Sequence, residues 1–404
     1  MYSTSFKGLP MRQWCWFFCL VGNICSGRPL EIEVSAPSAI LMNADTGSVL
    51  FEKDAHTPSY PASITKIATA LFALDHKKAP LDRPVTISHE SLKTKPAKGR
   101  EYPSHWLETD GTKMGLMKGE TVSFETLLYG LMLVSGNDAA NAIAESLSDT
   151  IPGFVEEMNA YLRSLGCKNT QFRNPHGLHH PEHYTTAYDI CLATKKALTI
   201  PKFKEIVSTL FYTKPKTNKQ PATELRQFNP LLKPGRFYYP NAIGVKTGYT
   251  SAAKNTLVAA AEHEGRTLIA VVLGCEKREE RYNDVRHLFD AAFAEEKKRR
   301  RLIASDHLFT RQVEGAKLSL QAALGKEFFI EFFPAEEPIC KAFIHWDIPT
   351  LPIKKDQRVG EVRLIDQEGK ILKKEDLLAV SELSPKFFFG LKQKFLRRWN
   401  SFSH

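Results

Sequence analysis

Ser63 and Lys66 stand three residues apart in Pro61-Ala62-Ser63-Ile64-Thr65-Lys66, just ahead of the apolar run Ile67-Ala68-Thr69-Ala70-Leu71-Phe72-Ala73-Leu74. On a helix this spacing puts both side chains on one face, within reach of each other. The pair is a nucleophile beside a base. A hydroxyl attacks well once a neighbour takes its proton, and an amine can take it only if its pKa falls from about 10.4. Burial and a second nearby cation both lower it. Alone, Ser-x-x-Lys is more often a helix start with a solvated lysine. Two further motifs weigh against that reading. Ser135-Gly136-Asn137 closes the segment Leu127-Leu128-Tyr129-Gly130-Leu131-Met132-Leu133-Val134, and Lys246-Thr247-Gly248 ends the strand-like Ala242-Ile243-Gly244-Val245.

The elements that must position these residues can be read around them. Pro58 and Pro61 precede good helix formers, so a helix is expected at or just before Ser63. Upstream, Ala39-Ile40-Leu41-Met42 and Val49-Leu50-Phe51 flank Asn43-Ala44-Asp45-Thr46-Gly47 as strand, turn and strand. Residues 91–112 read as a polar surface loop bordering the site. A helix starting at Ser123 runs to the Ser135 turn, and another covers Asp138 to Leu147. Two more are expected over about 152–165 and 186–199. Gly244–Tyr249, Thr256–Ala261 and Arg266–Gly274 form a β-meander, followed by a helix from Tyr282 to Glu296. Helices on one side of an antiparallel sheet, with a helical insertion carrying Ser135, make an α+β domain over 28–301. The basic run 297–301 reads as a solvated helix end. Phe328–Phe332 and Arg358–Ile365, with a hairpin turn at Asp366–Lys370, indicate a small all-β domain over 302–385.

With 404 residues, 43% hydrophobic and 25% charged, the chain is globular and long enough for two domains. Its net charge of +10 does not point to nucleic acid, because the basic residues form no aromatic-laced patch outside the C-terminus. Lys7 and Arg12 flank the short apolar stretch Trp14–Gly22, and Cys25-Ser26-Gly27 supplies small residues for cleavage, so 1–27 reads as an export signal. Nothing before Cys19 or Cys25 suggests a lipoprotein. Cys167, Cys191, Cys275 and Cys340 lack Cys-x-x-Cys spacing and are expected as buried free thiols, with a disulfide left open. His176, His179, His180 and His183 lack metal-site spacing and are expected on an exposed loop. No metal or cofactor is expected. In 386–404 there is no acid, and Phe388, Leu391, Phe395, Trp399 and Phe402 recur at three- and four-residue steps. That stripe predicts an amphipathic helix lying on a membrane surface.

The three motifs in this order resemble the low-molecular-mass penicillin-binding proteins, serine-type D-alanyl-D-alanine carboxypeptidases. Asn174-Pro175-His176-Gly177-Leu178, Ser135–Ala140 and Thr186-Ala187-Tyr188-Asp189 share in the likeness, as do the β domain and the tail. The resemblance implies a penicillin-binding, β-lactamase-like transpeptidase fold and, as substrate, the D-Ala-D-Ala end of a peptidoglycan stem peptide, with β-lactam antibiotics as covalent inhibitors. It implies that Ser63 attacks with Lys66 as base, that Ser135 relays a proton to the leaving amine, and that Asn137 holds both the substrate and Lys66. Lys246, Thr247, Gly248 and Tyr249 would bind substrate, the backbone N–H groups of Ser63 and Tyr249 forming the oxyanion hole. Relatives often carry histidine at the position of Tyr249. Arg281, matched to an arginine ahead of the last helix, would grip the substrate carboxylate together with Thr247.

Three other functions share parts of this pattern. A serine β-lactamase of the best-known class uses an extra glutamate after Ser-x-Asn, and Thr170–Leu178 contains no acid. An endopeptidase cutting cross-links would differ only in substrate access. A non-catalytic wall-binding scaffold would have no need to keep all of Ser63, Lys66, Ser135, Asn137, Lys246 and Thr247.

Overall fold

The computed structural model describes residues 28–96 and 100–386. The expected export signal and the aromatic-striped tail lie outside the described residues, apart from Lys386. Among the described residues, Pro29–Glu295 form one compact unit, and Arg28 with 296–386 forms the other.

The first unit opens with strands β1 (Ser38–Asn43) and β2 (Val49–Lys53), then helix α1 (Thr65–Leu71) and the short ribbon of β3 (Pro84–Thr86) and β4 (Thr121–Ser123). Helices α2 (Phe124–Leu133), α3 (Asn137–Leu147), α4 (Ile151–Ser164), α5 (Ala187–Leu198) and α6 (Pro201–Ser208) follow, then the hairpin of β5 (Phe211–Lys214) and β6 (Thr223–Arg226). The meander β7 (Ala242–Thr250), β8 (Lys254–His263), β9 (Arg266–Cys275) and helix α7 (Arg278–Phe293) complete it. The main sheet is antiparallel in the order β2-β1-β9-β8-β7, so β7, which carries Lys-Thr-Gly, is an edge strand.

Alternation along the strands shows how the layers form. Val258, Ala260, Ile269 and Val271 join the core cluster that includes α1, α2 and α3 residues such as Leu71, Leu127 and Ile143. The intervening Leu257, Ala259, Leu268 and Ala270 are just as buried, and α7 packs on β8 and β9 with Tyr282, Val285, Leu288 and Phe289 inward. The sheet is therefore covered on both faces, not on one as the sequence pattern suggested. Its strands are near-continuous apolar runs for that reason. Each fully buried Leu, Ile or Phe contributes roughly 1.5–3 kcal/mol.

Local chemistry sets the helix starts. Ser123 Oγ accepts the Thr126 N–H at 3.2 Å and caps α2, a contribution of about 1 kcal/mol. Thr186 caps α5 in the same way through the Asp189 N–H. α7 begins at Arg278, one turn before the expected start, because Glu279 and Glu280 occupy the positive end of its dipole and Glu280 Oε2 accepts the Lys277 N–H at 3.0 Å. Arg281 consequently lies in the first turn of this helix, not ahead of it.

In the second unit β10 (Lys298–Ile303), β11 (Phe309–Arg311), β12 (Leu320–Ala323), β13 (Phe328–Phe332), β14 (Cys340–Trp346), β15 (Arg358–Asp366) and β16 (Ile371–Ala379) surround a core of Phe328, Ile353, Val362, Leu364 and Leu377. Five strands pair in the order β11-β12-β16-β15-β14, and β10 pairs with β13. The basic run is thus strand and not helix end: Arg299 stacks over Phe329, Arg299 and Arg301 both reach Glu327, and Ile303 turns into the core. Asp366–Lys370 turns between β15 and β16, with Gly369 at φ +84. Cys167, Cys191, Cys275 and Cys340 are free thiols, the first three buried.

Candidate active site

A single 3-10 turn, Ala62–Ile64, leads into α1 and presents Ser63 half-buried. Ala62 adopts left-handed backbone at φ +53, which costs about 1–3 kcal/mol and must be held by its surroundings. The hold comes from both sides. Thr65 Oγ1 donates to Ala62 O at 2.9 Å, and Thr256 Oγ1 on β8 donates to Pro61 O at 2.9 Å. Behind Ser63, α1 carries a fully buried polar stripe of Thr65, Lys66 and Thr69. Each member is met by the loop at 174–183: Thr69 Oγ1 donates to Pro175 O at 2.6 Å, Thr65 Oγ1 lies 2.9 Å from His183 Nε2, and Lys66 Nζ donates to His176 O at 2.6 Å.

Lys66 Nζ also donates to Asn137 Oδ1 at 2.7 Å and stands 3.2 Å from Ser63 Oγ. The two carbonyl oxygens can only accept. A neutral amine has two N–H bonds and one lone pair, so with both bonds committed its lone pair faces the hydroxyl. Burial drives the Lys66 pKa well below that of a free lysine, and the Lys246 charge lowers it further, while Asp138 works the other way. Lys246, itself buried on β7 with its amine on Thr247 O at 2.9 Å, is pushed down to about 7 by burial and by Arg281.

The turn carrying Ser135 is equally constrained. Ser135 sits at φ +60 between α2 and α3, and its carbonyl accepts Thr112 Oγ1 at 2.8 Å. The Asn137 N–H donates to Thr112 O at 2.9 Å. Asp138, buried next in sequence, accepts the N–H groups of Met114, Gly115, Leu116 and Ala139 at 2.9–3.0 Å. The turn is therefore lashed to 112–116. The expected loop at 91–112 does border the site, but as a partly buried wall in which Ser91, His105 and Leu107 are covered.

Strand β7 reaches Ser63 because residue 248 is glycine. A Cβ there would lie 3.0 Å from Ser63 N and 2.4 Å from Thr256 Oγ1. Arg281 grips the other side: its Nη1 donates to Gly248 O at 2.8 Å and Thr256 O at 3.1 Å, and its Nη2 to Tyr282 Oη at 3.0 Å. Arg281 is 6% exposed, so its positive charge acts in low-dielectric surroundings behind β7. Thr247 is half-buried, whereas the Tyr249 ring points to solvent.

His176 and His183 correct the expectation of an exposed histidine loop: both are buried, and only His179 is exposed and His180 partly so. In each, Nδ1 accepts a backbone N–H, from Leu178 at 3.2 Å and from Arg173 at 3.0 Å. The proton is thus on Nε2, which faces His105 O at 3.1 Å in His176 and Thr65 Oγ1 in His183. With both ring nitrogens committed, neither has a lone pair for a metal. Burial holds both pKa values low, that of His183 at about 3. The other anchors are His176 O and Asp138, which lie in segments that carried the resemblance without a role being given to them, and Thr112, which no motif marks. Thr65 and Thr69 interrupting an apolar helix were the one available signal.

This fold and site define the active-site-serine, penicillin-binding class of peptidases. The family model for D-alanyl-D-alanine carboxypeptidases, serine peptidase family S11, matches residues 26–277. The D-alanyl-D-alanine carboxypeptidase DacF of Bacillus subtilis is 30% identical over 391 residues, 93% of this chain and 92% of the relative. Among solved structures, the carboxypeptidase DacD from Francisella tularensis aligns with TM-score 0.60 and 26% identity over 91% of this chain and 98% of its own. Penicillin binding protein 5 from Haemophilus influenzae aligns with TM-score 0.60 and 28% identity over 88% and 99%. The chain belongs to the D-alanyl-D-alanine carboxypeptidase family and is a serine-type carboxypeptidase, a hydrolase.

Proposed function

We propose that Ser63 attacks the carbonyl between the two terminal D-alanines of a stem peptide, that Lys66 takes its proton, and that water then releases the acyl group. The observation that carries this is a buried Lys66 amine 3.2 Å from Ser63 Oγ with two carbonyl oxygens, Asn137 Oδ1 and His176 O, at 2.7 and 2.6 Å, which leaves the lone pair of the neutral amine for the hydroxyl. Ser135 gives its own hydroxyl proton to the departing amine and is reprotonated from Lys66, so the proton taken from Ser63 ends on the leaving group. Asn137 serves both Lys66 and the substrate amide. The N–H groups of Ser63 and Tyr249 receive the oxyanion, a role that uses backbone and leaves the Tyr249 ring free.

The terminal carboxylate is received by Thr247 and by the positive field of Lys246 and Arg281. An arriving carboxylate raises the Lys246 pKa again, so the cation is restored when substrate binds. Arg281 acts through Gly248 O as well as through its charge. The test is incubation with a fluorescent penicillin and with a D-Ala-D-Ala peptide. Long-lived label with released D-alanine is expected; fast label loss would indicate a β-lactamase, and neither signal would indicate a scaffold. In the same assay Arg281→Ala should reduce D-alanine release more than penicillin labelling, and equal loss of both would reject a carboxylate role. A cross-linked dimeric peptide in a further arm separates endopeptidase activity.

We also propose that residues 1–27 direct export, that 28–301 is the catalytic domain, that 302–385 is a β-rich domain, and that 386–404 is an amphipathic helix on the periplasmic face of the cytoplasmic membrane. The absence of acids from the tail and its aromatic stripe support this. Among the described residues no helix is long and apolar enough to cross a membrane. Deleting 386–404 is expected to move the exported protein to the soluble fraction; retention in the membrane pellet would count against the anchor.

A further inference from the structure

The two carbonyl acceptors of Lys66 come from distant stretches of chain, Asn137 on α3 and His176 in the 174–178 loop. Behind the lysine a second set of hydrogen bonds ties those stretches together. His176 Nε2 donates to His105 O at 3.1 Å. The same carbonyl accepts Asn141 Nδ2 at 2.8 Å, and Asn141 Nδ2 also donates to Ser91 O at 3.2 Å. Asn141 lies on α3 one turn after Asn137, so both side chains issue from one face of one helix.

The bonds therefore close a ring. It runs from Lys66 through Asn137, along one turn of α3 to Asn141, across to His105 O, through the His176 ring, and back from His176 O to Lys66. Every side chain in it is buried, with Asn141 and His176 fully so. The Asn141 Oδ1 atom is buried without a partner, so this amide is oriented for its donors at the expense of its acceptor. His105, whose carbonyl is the junction, is 7% exposed and has its own tether at Glu90, Nε2 to Oε1 at 3.0 Å. Leu107, 1% exposed, pairs with Lys93 and Lys95 through its backbone N–H and C=O.

We infer that Asn141 and the His105 carbonyl are positioning elements for Lys66, fixing the separation of its two acceptors so that the amine stays aimed at Ser63. The wall at 90–107 thereby becomes part of the acyl-transfer machinery, although none of its residues touches the reacting atoms. Loosening the ring lets His176 O withdraw and water reach the amine. Water restores the hydration that burial removed, and the lysine then holds its proton to higher pH. The charged and titratable groups facing Lys66 are Lys246 from β7, Asp138 from α3, and His176 and His183 from the loop. Asn141→Ala replaces none of these groups and adds no charge beside them.

The experiment is the pH dependence of acylation by a fluorescent penicillin, measured as a second-order rate constant on the whole protein. Asn141→Ala is expected to slow acylation roughly ten- to hundredfold and to move the ascending limb of the profile to higher pH. Asn141→Gln, which keeps the amide, should recover part of both. A rate unchanged, or lowered equally at every pH with the limb in place, would overturn the inference, because a purely structural role lowers the active fraction without moving the limb. If Asn141→Ala fails to fold, Glu90→Ala replaces it: this carboxylate is 39% exposed, and its loss should move the limb the same way by a smaller amount. An unmoved limb there overturns the inference too. The inference rests on Lys66 as the base. A Lys66→Ala protein that acylates normally would remove both readings, whereas an inactive one beside an unmoved Asn141→Ala limb would remove only this one.

Discussion

Lys66→Ala is expected to lower the rate of acylation by penicillin by about 10³–10⁴-fold, with the fold intact. The expectation follows from the geometry around one nitrogen. In the protein the amine is 0% exposed, and its charge is disfavoured by burial and by Lys246. Alanine leaves Ser63 Oγ with no acceptor for its proton, and the Ser63 hydroxyl at its ordinary pKa is a weak nucleophile. Stability should change little or improve, since replacing a buried amine removes a desolvation cost while leaving the carbonyl oxygens of Asn137 and His176 to be met by water. The measurement is label incorporation against time beside a thermal melt. Full labelling by a folded Lys66→Ala protein would show that some other group accepts the proton. The pH sign is fixed as well: the base works only when neutral, so in the native enzyme acylation should rise with pH as Lys66 loses its proton.

Gly177→Ala is expected to be the most damaging substitution of a residue with no chemistry of its own. Gly177 has φ +92, and a Cβ at that position would stand 1.9 Å from Ala62 O and 2.4 Å from Ala62 C, which are backbone atoms with nowhere to go. Asn174 Oδ1 holds the glycine by accepting its N–H at 2.7 Å, so the loop cannot step aside without breaking that bond. Either the 3-10 turn bearing Ser63 moves or the loop moves and takes His176 O from Lys66. A loss of about 3–5 kcal/mol of stability and of nearly all acylation is expected. Gly265→Ala is the control. It also has positive φ, +76, but nothing lies within 4 Å of its Cβ position, so it should cost only about 1 kcal/mol and leave labelling unchanged. Comparable loss in both variants would mean that backbone conformation and not the close approach is responsible.

Much of the fold was legible because its elements carry local signals. The Ser123 cap, the turn at Asn43–Gly47 and the three β-rich runs of the meander predict α2, the first hairpin and β7 to β9 close to where they lie. The misreadings have a common origin. Lys298–Arg301 looks like a solvated helix end until β13 supplies aromatic rings beneath the guanidinium groups. The histidines at 176 and 183 look exposed until the His105 carbonyl and Thr65 on α1, respectively, supply the partners that let their rings be buried neutral. In both cases a polar side chain found its partner far along the chain, and no local pattern announces such a meeting.

For the site the division is sharper. The sequence alone determined which groups could react: a hydroxyl and an amine three residues apart, a Ser-x-Asn turn, and a Lys-Thr-Gly strand. Only the tertiary structure decided that the amine is buried, that its two N–H bonds are taken by carbonyl oxygens from separate stretches of chain, and that Arg281 seats its charge behind Gly248. Side-chain identity is written residue by residue, but the protonation of a lysine depends on the water its neighbours exclude and on main-chain carbonyls that every residue type carries alike. Those exist only once the chain has packed.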